Sequence, residues 1–140
     1  MKKHQEKQTV VPYFMVLNAS QFIEFTEKTF QSEVLKINKL EGTEGIVHAE
    51  MKVGNSIVYF ADTSADGSCG PGVCGELKND GLIPVQMYVY VEDAIETYQK
   101  AVAAGAMPVM EPTEEMGSMG GFADPLGNLW WVQSKDRSEE

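Results

Sequence analysis

Few side chains in this sequence are suited to chemistry, and their spacing says what each group could do. His48 and Glu50 form a His-x-Glu pair inside a strand candidate. Two such side chains at i and i+2 on a strand could both reach one metal ion. Cys69 and Cys74 sit in the run Asp66-Gly-Ser-Cys-Gly-Pro-Gly-Val-Cys-Gly. They could bind a soft metal or form a switchable disulfide, but two cysteines are too few for a disulfide framework. Gln86, Tyr88 and Tyr90 alternate along one strand candidate. Amphipathic rings beside an amide are pocket-lining chemistry, although such tyrosines can equally fill a core and bond their hydroxyls locally. His4 is the only other histidine, and with two histidines no Ser-His-Asp or Cys-His arrangement assembles. Gly117-Ser-Met-Gly-Gly lacks the strand-turn-helix setting of a phosphate-cradling loop. No catalytic residue, metal ligand or cofactor is therefore assigned.

The elements that must position these groups repeat. Val10 to Leu17 is apolar and rich in β-formers, and Asn18 with Gln21 has capping-box spacing for a helix to about Phe30. Phe22, Phe25 and Thr29, with Ile23 and Phe30, recur at helical spacing. Strands follow at Glu33 to Leu40, Ile46 to Val53 and Ser56 to Ala61, with Gly54-Asn55 between the last two as a type II′ turn. The second half repeats the order. Ile83 to Val91 is a strand, Asp93 and Glu96 cap a helix with Ile95, Tyr98 and Val102 along its stripe, and Gly105 ends it. Strands follow near Met107 to Met110, Gly117 to Ala123 and Leu129 to Gln133. Ile23-Glu24 and Lys28 match Ile95-Glu96 and Lys100, and Gly54-Asn55-Ser-Ile-Val-Tyr matches Gly127-Asn128-Leu-Trp-Trp-Val. Shared spacing across helix and hairpin marks an internal repeat.

The expected fold class is α+β, two βαβββ repeats forming a curved mixed sheet. The expected organisation is a flexible arm over 1–8, one domain over 9–135 and a polar tail over 136–140. The domain divides into a first repeat over 9–62, a linker loop over 63–82 and a second repeat over 83–135. A structureless linker this long in a compact domain is functional or mobile. On the fifth strand Val85, Met87, Val89 and Val91 should pack on the helices, leaving Gln86, Tyr88 and Tyr90 opposite. The first hairpin sets Val53 against Ser56, Met51 against Val58 and Ala49 against Phe60. Lys52, Glu50 and His48 then share the other side with Ile57 and Tyr59, which turns the His-x-Glu pair onto an outer face.

Composition limits the partners. The chain has 140 residues, 43% hydrophobic, and a formal net charge of -10. A chain of this length buries roughly two-thirds of its unfolded surface, enough for one core. No apolar run approaches the roughly 20 residues of a membrane span, and no apolar stretch follows the charged start, so neither a membrane segment nor a secretory signal is expected. Nucleic acid is a poor partner for so acidic a surface. A neutral or cationic small molecule suits it better, and a cytoplasmic location is the default.

The paired units, closed by Asp124-Pro-Leu-Gly-Asn-Leu-Trp-Trp, resemble the vicinal oxygen chelate superfamily, which includes glyoxalase I, extradiol dioxygenases and bleomycin-resistance proteins. Val11-Pro-Tyr13, Phe22-Ile-Glu-Phe25, His48-Ala-Glu50 and Gly120-Gly-Phe-Ala-Asp-Pro are similar to its PhnB-like branch. The resemblance runs from about Val10 to Gln133. It implies a divalent ion held by His, Gln or Glu from the first and last strands of each unit. Carried over by position, those places are Val11 (or Phe14), Val58, Gln86 and Trp131, of which only Gln86 could serve. The Arg of a Gly-Asp-Arg-x-Gly-Gly stretch usual in that branch is absent from Gly117-Ser-Met-Gly-Gly.

The resemblance to the bleomycin-resistance group implies sequestration of a small hydrophobic or cationic aromatic ligand in an aromatic cleft. Tyr13, Val58, Phe60, Gln86, Tyr88, Tyr90, Trp131 and Gln133 are its expected contacts. A metal-dependent lyase, isomerase or dioxygenase, and a metal-free enzyme using Glu50, Tyr88 or Tyr90, remain open alternatives. Because four units commonly make two clefts in this superfamily, and because Ile57, Tyr59 and Trp130 are expected as apolar outer residues needing cover, a homodimer is expected.

Overall fold

In a computed structural model the described residues are 8–63, 85–116 and 118–135. The arm before Gln8, Cys69 and Cys74 with almost all of the linker, and the polar tail lie outside them. The first unit runs β1 (Tyr13–Val16), α1 (Ala19–Phe30), β2 (Glu33–Lys39), β3 (Ile46–Val53) and β4 (Ser56–Asp62). The second runs β5 (Met87–Val91), α2 (Ala94–Ala103), β6 (Met107–Thr113) and, after a short 3-10 turn, β7 (Met119–Ala123) and β8 (Leu129–Ser134). Each unit folds its strands into a four-stranded mixed sheet, ordered β1-β4-β3-β2 and β5-β8-β7-β6. The first and last strands of each unit pair in parallel. The α+β class and the two βαβββ repeats are as expected.

Local chemistry explains the helix ends. Asn18 and Asp93 are extended N-caps whose side chains accept from the backbone N–H of Gln21 and Glu96. Each first helical N–H finds its acceptor at the end of the unit's last strand. Ala19 N–H donates to Asp62 Oδ1 at 2.7 Å, and Ala94 N–H donates to Ser134 Oγ at 2.8 Å. Asp62 also accepts from Ile46 N–H at 2.8 Å, tying helix, β3 and β4 together. Gly105 follows α2 at φ 108°, in the left-handed region that glycine enters without strain.

The two hairpins share Gly-Asn but differ in length, which changes their geometry. In the first, Val53 pairs with Ser56, so Gly54-Asn55 is the whole turn, and Gly54 alone takes positive φ. In the second, Ala123 pairs with Leu129 across the five residues from Asp124 to Asn128. Asp124 organises that loop. Its Oδ1 accepts from the N–H groups of Leu126 and Asn128, and its Oδ2 from Asn128 Nδ2 and Trp130 Nε1, all at 2.9 Å.

The units share one core, built between their helix-bearing faces. Phe14 stacks on Trp130 with ring centroids 5.4 Å apart and planes 11° from parallel. Phe30 meets Trp130 at 4.9 Å, and Phe25 meets Phe122 at 6.1 Å. Trp130, expected on an outer face, is therefore a core residue, 2% exposed. The longer second turn is the reason. Trp130 stands two residues after Asn128 and Ile57 two after Asn55, yet the three added loop residues put them on opposite faces. A one-residue change of phase reverses every side chain of a strand.

Candidate functional site

The faces turned away from the shared core carry the polar and aromatic groups. On the second sheet β5 alternates as expected: Met87, Val89 and Val91 pack against the core, while Tyr88 and Tyr90 are exposed. Val85, expected with the inner set, is exposed beyond the end of β5. Tyr88 pairs with Trp131, and Tyr90 with Gln133, so these four and Gln86 share the open face.

Trp131 lies flat on the sheet because position 121 has no side chain. Gly121 is its partner on β7, and a Cβ there would stand 2.5 Å from Trp131 Cε3. Trp131 Nε1 donates to Gln86 Oε1 at 2.7 Å. Indole nitrogen is only a donor, so this bond sets the Gln86 amide orientation. Tyr88 hydroxyl bonds Gln133 Oε1 and lies 3.1 Å from Met119 Sδ. Gln86, Tyr88, Met119 and Trp131 line an open concavity of about 430 Å³. An indole face, two phenols and two amides can take a flat ligand by stacking, with polar groups at its rim.

The first sheet divides its expected contacts between two faces. Val58 and Phe60 are 6% and 0% exposed on the core side, where Phe60 meets Phe22 at 5.4 Å. They do not share a face with Tyr88 and Trp131. Val58 borders a groove of about 590 Å³ that also touches Met87, Tyr88, Val89, Tyr90 and Trp130. The hairpin register is as expected, with Glu50 opposite Tyr59 and Ala49 opposite Phe60. The His-x-Glu pair is on an outer face, as expected, while Val58 and Phe60 face the helices and the core. Tyr13 pairs with Tyr59 as Tyr88 pairs with Trp131. The open face thus carries Tyr13, Tyr59, His48 and Glu50. Val11 precedes β1, and Phe14, the other candidate for that position, is buried.

The family model described as Glyoxalase/Bleomycin resistance protein/Dioxygenase superfamily matches residues 13–132. The chain belongs to this superfamily. TioX from Micromonospora sp. ML1 is 22% identical, with 92% of this chain and 97% of that one covered and a TM-score of 0.62. A putative 3-demethylubiquinone-9 3-methyltransferase, the PhnB protein of Bacillus cereus, is 14% identical over 91% and 100%, with a TM-score of 0.65. The fosfomycin resistance protein FosX from Mesorhizobium loti is 12% identical over 96% and 97%, also at 0.65. At these identities the likeness is one of fold. No curated protein sequence matches.

The superfamily's metal centre can be tested against the donors present. The paired positions on the open faces of the first and last strands are Tyr13 with Tyr59 and Tyr88 with Trp131. Three neutral phenols and an indole are a poor donor set for a divalent ion, and the neighbouring amides Gln86 and Gln133 add only weak neutral oxygens. Among the described residues no three His, Cys, Asp or Glu side chains come together. These residues do not fit the group. No helix among them is long and apolar enough to cross a membrane.

Proposed function

We propose that this chain is a PhnB-like small-molecule-binding protein that takes a small hydrophobic or cationic aromatic ligand against the open face of its second sheet, without the superfamily metal or another cofactor. The observation that carries this reading is Trp131, laid flat over Gly121 and pinned by Gln86. A net charge of -10 favours a cation, and cation-π contact with Trp131 or Tyr90 adds about 0.5–2 kcal/mol. The protein acts as a single domain over 9–135 in the cytoplasm, without nucleic acid or membrane.

The cleft is completed by a second copy. Within one chain the open faces of both sheets turn away from the common core, so neither can cover the other. Tyr13, Tyr88 and Tyr90 are 51%, 48% and 62% exposed, and a homodimer that opposes the first sheet of one copy to the second sheet of its partner would cover them. Titration of tryptophan fluorescence with cationic and neutral aromatic compounds tests the site. Saturable quenching that Trp131→Phe removes supports it, and no binder in a broad panel overturns it.

A metal-dependent lyase, isomerase or dioxygenase is the second reading. It is favoured only by His48 and Glu50, whose side chains meet at 2.9 Å on the open face of the first sheet. Elemental analysis of purified protein separates the two, since one equivalent of bound zinc, nickel, manganese or iron would select the enzyme.

A further inference from the structure

The binding reading leaves the His48–Glu50 pair without a role, and its surroundings suggest one. His48 Nε2 and Glu50 Oε2 are 2.9 Å apart, and the side chains are 27% and 26% exposed. The imidazole lies 4.9 Å from the Tyr59 ring at 72° and 5.9 Å from the Tyr13 ring. Lys36 of β2 is in register with Glu50, and Asn38 with His48, while Tyr59 of β4 closes the other side of Glu50. A carboxylate accepts only, so with neutral imidazole the bond must be Nε2–H donating to Glu50. The lone pair then resides on Nδ1, which has no hydrogen-bond partner among the described residues. A carboxylate behind one nitrogen also stabilises the ring when the other gains a proton.

We propose that His48 Nδ1 is a ligand-binding acceptor that recognises an acidic hydroxyl, a phenol or enol, on an aromatic compound bounded by Tyr13 and Tyr59. Such a nitrogen takes its strongest hydrogen bond from the most acidic O–H, and the two flanking rings suit an aromatic carrier. The inference rests on the binding reading and extends it from the second sheet to the first, naming the polar group the ligand must bear.

The probes are 2-naphthol and 2-methoxynaphthalene, of similar shape but with and without the hydroxyl proton. The chain has two histidines, so a His4→Asn background leaves His48 alone in a histidine-selective nitrogen NMR spectrum. The expected result is an Nε2–H tautomer whose Nδ1 resonance moves with 2-naphthol and not with the ether. The naphthol should also bind roughly fivefold more tightly. His48→Phe should erase that preference and Glu50→Gln should shrink it. An Nδ1–H tautomer, or equal responses to both probes, would overturn the proposal. Trp131 quenching without any His48 response refutes this inference and leaves the binding reading standing. Silence at both residues refutes both.

Discussion

Replacing Gly121 with alanine should lift Trp131 off the sheet while leaving the fold intact. The added Cβ would stand 2.5 Å, 2.6 Å and 3.2 Å from Trp131 Cε3, Cζ3 and Cδ2. Carbon atoms prefer separations of about 3.5–4.0 Å, so the closest contact is short by about 1–1.5 Å. The β7 and β8 backbones are fixed by their ladder, so the indole moves. That breaks the bond to Gln86 Oε1, with a net contribution of about 0.5–1.5 kcal/mol. Gly121 does not need positive φ, and alanine there stabilises by about 0.4–1 kcal/mol through the unfolded chain. The two effects nearly offset, so unfolding free energy should change by no more than about 1 kcal/mol. Ligand affinity should fall about 2- to 12-fold, the loss of one aromatic stack worth about 0.5–1.5 kcal/mol. Tryptophan emission should shift to the red and become more open to acrylamide quenching, with buried Trp130 contributing a constant background. Unchanged emission together with unchanged affinity would refute the account of how Trp131 is held.

Other consequences follow from the core and the assembly. Asp124→Ala should lower urea-measured stability by roughly 3 kcal/mol, since it leaves the buried Trp130 indole N–H and two loop N–H groups without their acceptor; a change under 1 kcal/mol would contradict that role. Burial, and secondarily the Glu111 carboxylate, raises the Tyr98 phenol above its ordinary pKa of 10.0. The folded state therefore favours the neutral phenol, and this contribution is present below pH 10.0 and lost as pH rises through the folded-state pKa. Tyr98→Phe should remove that part of the alkaline loss of stability, and an identical pH profile would contradict it. Size-exclusion chromatography with light scattering at micromolar concentration should give twice the 15.5 kDa chain mass, and a clean monomer would contradict the dimer.

The elements were legible because their signals are local. Capping by Asn18 and Asp93, the break at Gly105 and the two-residue turn at Gly54-Asn55 each act within a few residues, and the structure has all of them. The alternation of β5 was legible for the same reason. The faces of the first sheet were not. Which side of β4 the helix covers depends on packing between distant elements, here Phe22 against Phe60 and Phe14 against Trp130. Matching the two Gly-Asn pairs placed Val58 opposite Trp131 in the repeat, although Tyr59 holds that place. The signal that could have prevented this was loop length. Asp124-Pro-Leu-Gly-Asn has a cap-like Asp and a Pro that a two-residue turn cannot contain, so the second strand had to start in a different phase. Gly121 beneath Trp131 was hidden because a close approach across strands leaves no local pattern.

The indole N–H signals of Trp130 and Trp131 test the central claim most directly. The two nitrogens lie on opposite faces of β8, one donating to Asp124 in the core and the other to Gln86 on the open face. In a proton–nitrogen correlation spectrum, a cationic aromatic compound added to saturation should move the Trp131 signal and leave Trp130 in place. A ligand that moves Trp130 alone, or binds while both signals stay still, would contradict the assignment of the open aromatic face as the binding site.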